Sequence, residues 1–231
     1  MKNKPTYNFF IPCTLLIILV TLFFIFASRK PKEEENVANT NIAESIPSFA
    51  VTVKTPYYTG QGVVYATDEN IAYVVTTGHL TEGITAGEFC TVTLHDGTES
   101  DAVLIYCSET ADVAFLMLEM QGKVETVPQN REQFDRLQAE SLVTAYSMTN
   151  GALKQSTGTI IEPWIYLEDF SLDMMLVKMD AEAGMSGCAV LDEEGCFAGV
   201  LCGVSETGEA AVLPFSIIES EWIMTGRERD S

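Results

Sequence analysis

The sequence predicts an all-β domain of two antiparallel six-stranded β-barrels, preceded by one transmembrane helix. Three observations lead there. Residues 9–27, "FFIPCTLLIILVTLFFIFA", run 19 residues without a charge, the length that crosses a hydrocarbon core at helical rise. From Phe49 onward, short apolar runs alternate with turn residues, a pattern of strands. These runs come as six, then a helix-like interval, then six more, which fits two small barrels better than one sandwich.

The amino-terminal segment is read as an uncleaved, single-pass membrane anchor. A buried core helix would show a polar face, and residues 9–27 have none. A cleaved signal peptide is the rival, but the site before Ser28 offers Ile25 and Ala27 instead of two small residues. Cys13 lies near the start of the apolar run, the wrong place for lipoprotein processing. Lys2, Lys4 and the amino terminus face Arg29, Lys30 and Lys32 across the span, so the positive-inside count is nearly balanced. The short tail, residues 1–8, favours staying in the cytoplasm with the remainder outside the cell membrane. Residues 28–48 are polar, with a proline near each end, and form a linker with too little apolar content to fold alone.

The strands follow in order. Barrel one, expected over 49–125, contains "FAVTVKT", "GVVYAT", "IAYVVTT", "CTVTL", "DAVLIYC" and "VAFLMLE". A connector, 126–140, includes the helix-like "QNREQFDRLQAE" at 129–140. Barrel two, expected over 141–218, contains "LVTAYSM", "GTIIEP", "DMMLVKM", "CAVLD", "CFAGVLCG" and "AAVLPF". The end of the chain, "SIIESEWIMTGRERDS", reads as a short helix running into a tail at 219–231. About 180 residues suffice to bury a core in both barrels.

Charge narrows the partners. Five of the 13 basic residues lie at or before Lys32 and all 33 acidic residues follow it, giving a formal net charge of −25 beyond that point. Such a surface repels phosphate backbones, so nucleic acid is not an expected partner. Beyond Cys13 five cysteines remain. Cys196 and Cys202 are too far apart along one strand to bridge, at about 20 Å. Cys90 and Cys107 flank the Asp96-Gly97 turn and could face each other, but buried free thiols acting as small apolar residues are the favoured reading. No Cys/His spacing suggests a metal, and no cofactor is expected.

The chain has two histidines. His95, in "LHDG", occupies a hairpin turn where a polar residue is ordinary. His79 follows the apolar strand in "YVVTTGHL". Asp112 heads "DVAFLMLE", and a carboxylate at a buried strand start needs hydrogen-bond donors. Ser186 sits in "GMSG", between glycines and ahead of a small-residue strand. A G-x-S-G tetrapeptide alone decides little, because turns favour the same residues.

Taken in order, these segments resemble the chymotrypsin-fold, trypsin-like serine proteases, and most of all their high-temperature-requirement branch. "GQGVVYATDENIAYVVTTGHL" is similar to that family's G-x-G strand, hairpin and T-A-x-H segment. "VTLHDGTESDAVLIYCSETADVAFLMLE" resembles its second hairpin and D-[IL]-A-x-L strand. "MDAEAGMSGCAVLDEEGCFAGVLCG" resembles its G-[DN]-S-G-G-P-L bend and following strand. The likeness covers about residues 49–218 and implies a serine endopeptidase acting on a protein or peptide, which the anchor expected at 9–27 would hold at the membrane. Its implied roles are Ser186 as nucleophile, His79 as base, Asp112 as orienting acid, and the N–H groups of Gly184 and Ser186 as oxyanion hole. The C-terminal peptide-binding (PDZ) domain that the branch commonly carries is not expected in this chain.

Several positions depart from that pattern. Cys188 and Ala189 replace a glycine and a proline after the nucleophile. Met185 replaces the acid before it, so the zymogen switch of trypsin-type enzymes is not expected. Cys202 stands where a serine usually touches the triad acid. Asp180, six residues before Ser186, has the offset of an acid that binds Lys or Arg side chains. Cys202, Gly203 and Val204 correspond to the strand edge along which a substrate backbone pairs. The alternative is a catalytically impaired pseudoprotease that binds peptides.

Overall fold

The computed structural model describes residues 47–120, 122–149, 152–205 and 207–227. The expected anchor at 9–27, and all but the last two residues of the 28–48 linker, lie outside these. Among the described residues, no helix is long and apolar enough to cross a membrane.

Barrel one contains β1 (Ala50–Lys54), β2 (Thr59–Asp68), β3 (Ile71–Thr76), β4 (Phe89–Thr93), β5 (Glu99–Cys107) and β6 (Ala114–Glu119). It closes in the order β1-β2-β3-β6-β5-β4. Barrel two contains β7 (Leu142–Thr149), β8 (Ala152–Leu167), β9 (Leu172–Lys178), β10 (Ala189–Asp192), β11 (Phe197–Val204) and β12 (Glu209–Pro214). It closes as β10-β11-β12-β9-β8-β7. Closure removes the unpaired edges that an open sheet would present.

The period-2 alternation is clear where one face of a strand meets solvent. In β5, Ala102 and Leu104 point inward between more exposed neighbours. It disappears in β2 and β3, where nearly every residue is buried, because the outer face of barrel one is covered as well. The cover is α2 (Phe215–Met224), which leaves the end of β12 and returns to barrel one. Its Trp222 packs on Tyr65 of β2, Tyr73 of β3 and Phe115 of β6, with ring centroids 5.5, 5.1 and 5.2 Å away. Edge-on packing of this kind adds to the area the rings bury.

Two elements differ from the sequence reading. The helix-like interval at 129–140 holds only one turn of helix, α1 (Arg131–Phe134), capped by the Asn130 side chain on Gln133 N–H at 3.1 Å. Beyond it, bonds such as Leu137 N–H to Phe134 O close three-residue turns instead of continuing an α-helix. The "GTIIEP" strand extends to the 16 residues of β8. Register shifts at Ile160/Glu162 and Glu162/Ile165 let this long strand bend around the barrel.

The five described cysteines are free thiols. Cys90 faces Ala102 across the β4–β5 pair, so it does not meet Cys107. Cys107 is exposed, unlike the buried thiol expected there. Among the described residues no cluster of His, Cys, Asp or Glu could hold a metal ion.

Candidate active site

His79 lies in a short 3-10 turn, Gly78–Thr81, that follows β3. Asp112 lies on the loop that leads into β6, two residues before Ala114. Because β3 and β6 pair in register, with Thr76 opposite Ala114, the ends of the two strands bring these side chains together. Asp112 Oδ2 accepts a hydrogen bond from His79 Nδ1 at 2.8 Å, and Oδ1 accepts from the His79 backbone N–H at 2.8 Å. A carboxylate only accepts, so the ring proton sits on Nδ1 and Nε2 keeps its lone pair. The ring is 43% exposed, while the acid is 16% exposed.

Burial pushes the Asp112 carboxyl up, but the hydrogen bonds from His79, the charge of its ring when protonated, and the Cys202 thiol outweigh it. The net effect holds the acid below the usual aspartate value. Cys202 is buried against this carboxylate, and its own thiol is pushed well above the usual range by burial and by the negative charge.

Ser186 follows Gly184 and Met185 on the bend between β9 and β10. Gly184 has φ +92° and Gly187 φ +89°, conformations that a Cβ disfavours. At Gly187 the strain is also steric, since a Cβ there would stand 2.0 Å from the Gln61 carbonyl oxygen. Met185 is 1% exposed, and its thioether sulfur accepts the Glu182 N–H at 3.3 Å. An apolar side chain therefore fills the place before the serine. Cys188 and Ala189 are buried behind it.

The Ser186 hydroxyl donates to the Cys202 carbonyl at 3.2 Å. Among the described residues no hydrogen bond joins it to His79, whose Nε2 has only the Thr77 hydroxyl nearby at 3.4 Å. The two residues nonetheless share a neighbourhood. A Cβ on Gly60 would touch both Leu80, next to His79, and the Ser186 carbonyl. Cys202 also spans the site, with its thiol toward Asp112 and its carbonyl on Ser186. The N–H groups of Gly184 and Ser186 donate to no acceptor among the described residues.

Gly203 and Val204 pair with Ala211 and Ala210 of β12. The pairing of β11 with β10 stops at Val200, leaving their other edge without a strand partner. A groove of about 510 Å³ lies over the paired side of this segment, lined by Phe170, Leu176, Gly203, Val204 and Ala211 among others. On the other side of the bend, a cleft of about 530 Å³ is lined by Gln61, Met148, Ala183, Gly184 and the β4–β5 turn with His95. Another cleft, about 1160 Å³, also reaches that turn but runs along the outer end of barrel one and is lined by none of His79, Asp112 or Ser186. Asp180 is exposed, and its backbone carbonyl accepts the Ser156 hydroxyl. The sequence reading passed over Gln61, whose side chain reaches the bend from barrel one.

The fold has a counterpart among solved structures. A crystal structure of Rv3671c from M. tuberculosis H37Rv, a serine-to-alanine mutant in an inactive form, superposes with a TM-score of 0.65 at 18% identity. The match covers 86% of this chain and 96% of that one, and at such identity it shows the shared fold. No curated protein matches the chain. The family model for the trypsin-like peptidase domain matches residues 60–200, a span that runs from the glycine before Gln61 through His79, Asp112 and Ser186 into β11. With that span matched, the chain belongs to the trypsin-like peptidase family.

Proposed function

We propose that this protein is a serine endopeptidase of the high-temperature-requirement type, held at the cell membrane by residues 9–27 with its barrels outside. The observation that carries the reading is the doubly bonded pair: Asp112 grips both the ring and the backbone of His79. This leaves a lone pair on Nε2, and Ser186 stands on a glycine-lined bend of the second barrel.

In the proposed mechanism the Ser186 hydroxyl turns from the Cys202 carbonyl to His79 Nε2 when a peptide fills the site. His79 takes the hydroxyl proton as Ser186 Oγ attacks the scissile carbonyl, and Asp112 stabilises the resulting imidazolium. The N–H groups of Gly184 and Ser186 receive the developing oxyanion. His79 returns the proton to the leaving amine, and water hydrolyses the acyl-enzyme by the same steps. The open edge at Gly203 and Val204 pairs with the substrate backbone as an added strand. Asp180, exposed six residues before Ser186, is kept as the candidate acid for a basic substrate side chain.

A fluorophosphonate probe tests the reading on the full-length protein in detergent. Labelling is expected, with none in Ser186→Ala; normal labelling of that variant would remove Ser186 as nucleophile. Peptide binding without labelling would select the pseudoprotease alternative. A membrane-impermeant version of the probe, applied to intact cells, tests the orientation.

A further inference from the structure

Gln61, the middle residue of the G-Q-G stretch in β2, is 5% exposed, and its side-chain partners are distant in sequence. Its Oε1 accepts the Met148 N–H at 2.8 Å, and its Nε2 donates to the Met148 carbonyl at 3.0 Å. The amide thus pairs with the end of β7 as a neighbouring strand would. Nε2 carries a second proton, which goes to the Gly184 carbonyl at 3.1 Å. The backbone of the same residue holds the rest of the bend. Gln61 N–H donates to the Ser186 carbonyl at 2.8 Å, and the Gln61 carbonyl packs where a Cβ on Gly187 would stand. That carbonyl is itself fixed by the Thr76 hydroxyl at 2.7 Å.

One residue of barrel one therefore meets residues 184, 186 and 187 of barrel two. The peptide that carries the Gly184 carbonyl has one backbone tie, Met185 N–H to the Glu182 carbonyl at 3.2 Å, and the Gln61 amide supplies the other. Gly184 is exposed, has φ +92°, and has open space for 4 Å around its Cβ direction. No side chain packs against Gly184 itself on that side, so hydrogen bonds fix its orientation. Donors aimed at an oxyanion work because they are fixed before the charge develops, and displacement by about 1 Å costs about a hundredfold in rate.

We infer that Gln61 is a positioning residue for the oxyanion bend: its amide ties the Gly184 carbonyl to β7 and keeps the Gly184 and Ser186 N–H groups aimed at one point. The inference rests on the serine-protease reading of that bend. Gln61→Met keeps length and volume while removing all three side-chain hydrogen bonds. In the full-length protein in detergent, kcat for a chromogenic peptide anilide, per titrated active site, is expected to fall about ten- to hundredfold. KM stays within about threefold, because only the transition state uses these donors. Affinity for a peptide boronate, which forms a tetrahedral adduct, falls in step with kcat. Amide hydrogen exchange over residues 183–187 speeds up about tenfold.

Trp222→Phe, a packing change outside the site, lowers thermal stability and leaves kcat and that exchange as they were. Wild-type kcat with wild-type exchange in Gln61→Met overturns the inference. Should Gln61→Met not fold, Gln61→Glu keeps an acceptor for Met148 N–H and loses both donors. The same fall in kcat supports the inference, and wild-type kcat overturns it. If the wild-type chain takes no fluorophosphonate, the protease reading fails on its own. The exchange comparison then decides: faster exchange supports the tie, and equal exchange refutes it.

Discussion

Gly187→Ala and Gly184→Ala form a pair that separates steric clash from backbone preference at the bend. Both glycines have φ near +90°, where a side chain costs about 1–2 kcal/mol. At Gly187 the new methyl would also sit 2.0 Å from the Gln61 carbonyl oxygen and 2.7 Å from Thr76 Oγ. Those neighbours are backbone and a fixed hydroxyl, so the bend or β2 must move, at an overpacking cost of about 1–3 kcal/mol. At Gly184 the methyl meets nothing within 4 Å. Gly187→Ala is therefore expected to lose about 2–5 kcal/mol and Gly184→Ala about 1–2 kcal/mol. Urea unfolding of the full-length protein, followed by the fluorescence of buried Trp222, reads the difference. Fluorophosphonate labelling should slow about a hundredfold in Gly187→Ala, because the displaced segment carries Ser186. Equal urea midpoints for the two variants would refute the steric argument.

The other predictions concern the acid, the thiols and the aromatic contact. In Asp112→Asn one side-chain oxygen can still accept the His79 N–H, but the amide nitrogen then faces Nδ1 and favours the wrong ring tautomer; kcat is expected to fall on the order of 10⁴-fold, and near-wild-type turnover would contradict this. Because the folded protein lowers the pKa of Asp112, its contribution to stability is complete above the unfolded aspartate pKa and is lost as pH falls through the lower folded value. Acid unfolding of Asp112→Asn should therefore depend less on pH, and an unchanged slope would remove that contribution. Burial pushes the Cys90 thiol up to about 11 and the Cys188 thiol up to about 12. Their contribution is complete below the ordinary thiol range near 8.5 and is lost as pH rises through those folded values. Cys188→Ala should flatten the alkaline fall in the urea midpoint, and an identical fall would contradict the assignment. Trp222→Ala should cost about 3–5 kcal/mol by opening a cavity among Tyr65, Tyr73 and Phe115; a loss below about 1 kcal/mol would show that α2 does not hold barrel one.

The sequence alone determined the β elements, because apolar alternation and turn chemistry are local. "IAYVVTT" became β3 and "CFAGVLCG" became β11 with ends shifted by a residue. It also named the histidine and acid that meet, since only two histidines had to be weighed and one followed a strand directly. Tertiary structure decided what depends on distant partners. The bulges of β8 and the single turn of α1 arise from barrel closure and the packing of Phe134 on Phe215. Cys202 reaches Asp112 and Ser186 only because β11 runs between them. Gln61 gave no local signal, because its amide partners lie 87 and 123 positions away. A buried amide gains its importance from the donors and acceptors that folding places around it, and a linear pattern of residues does not encode those directions.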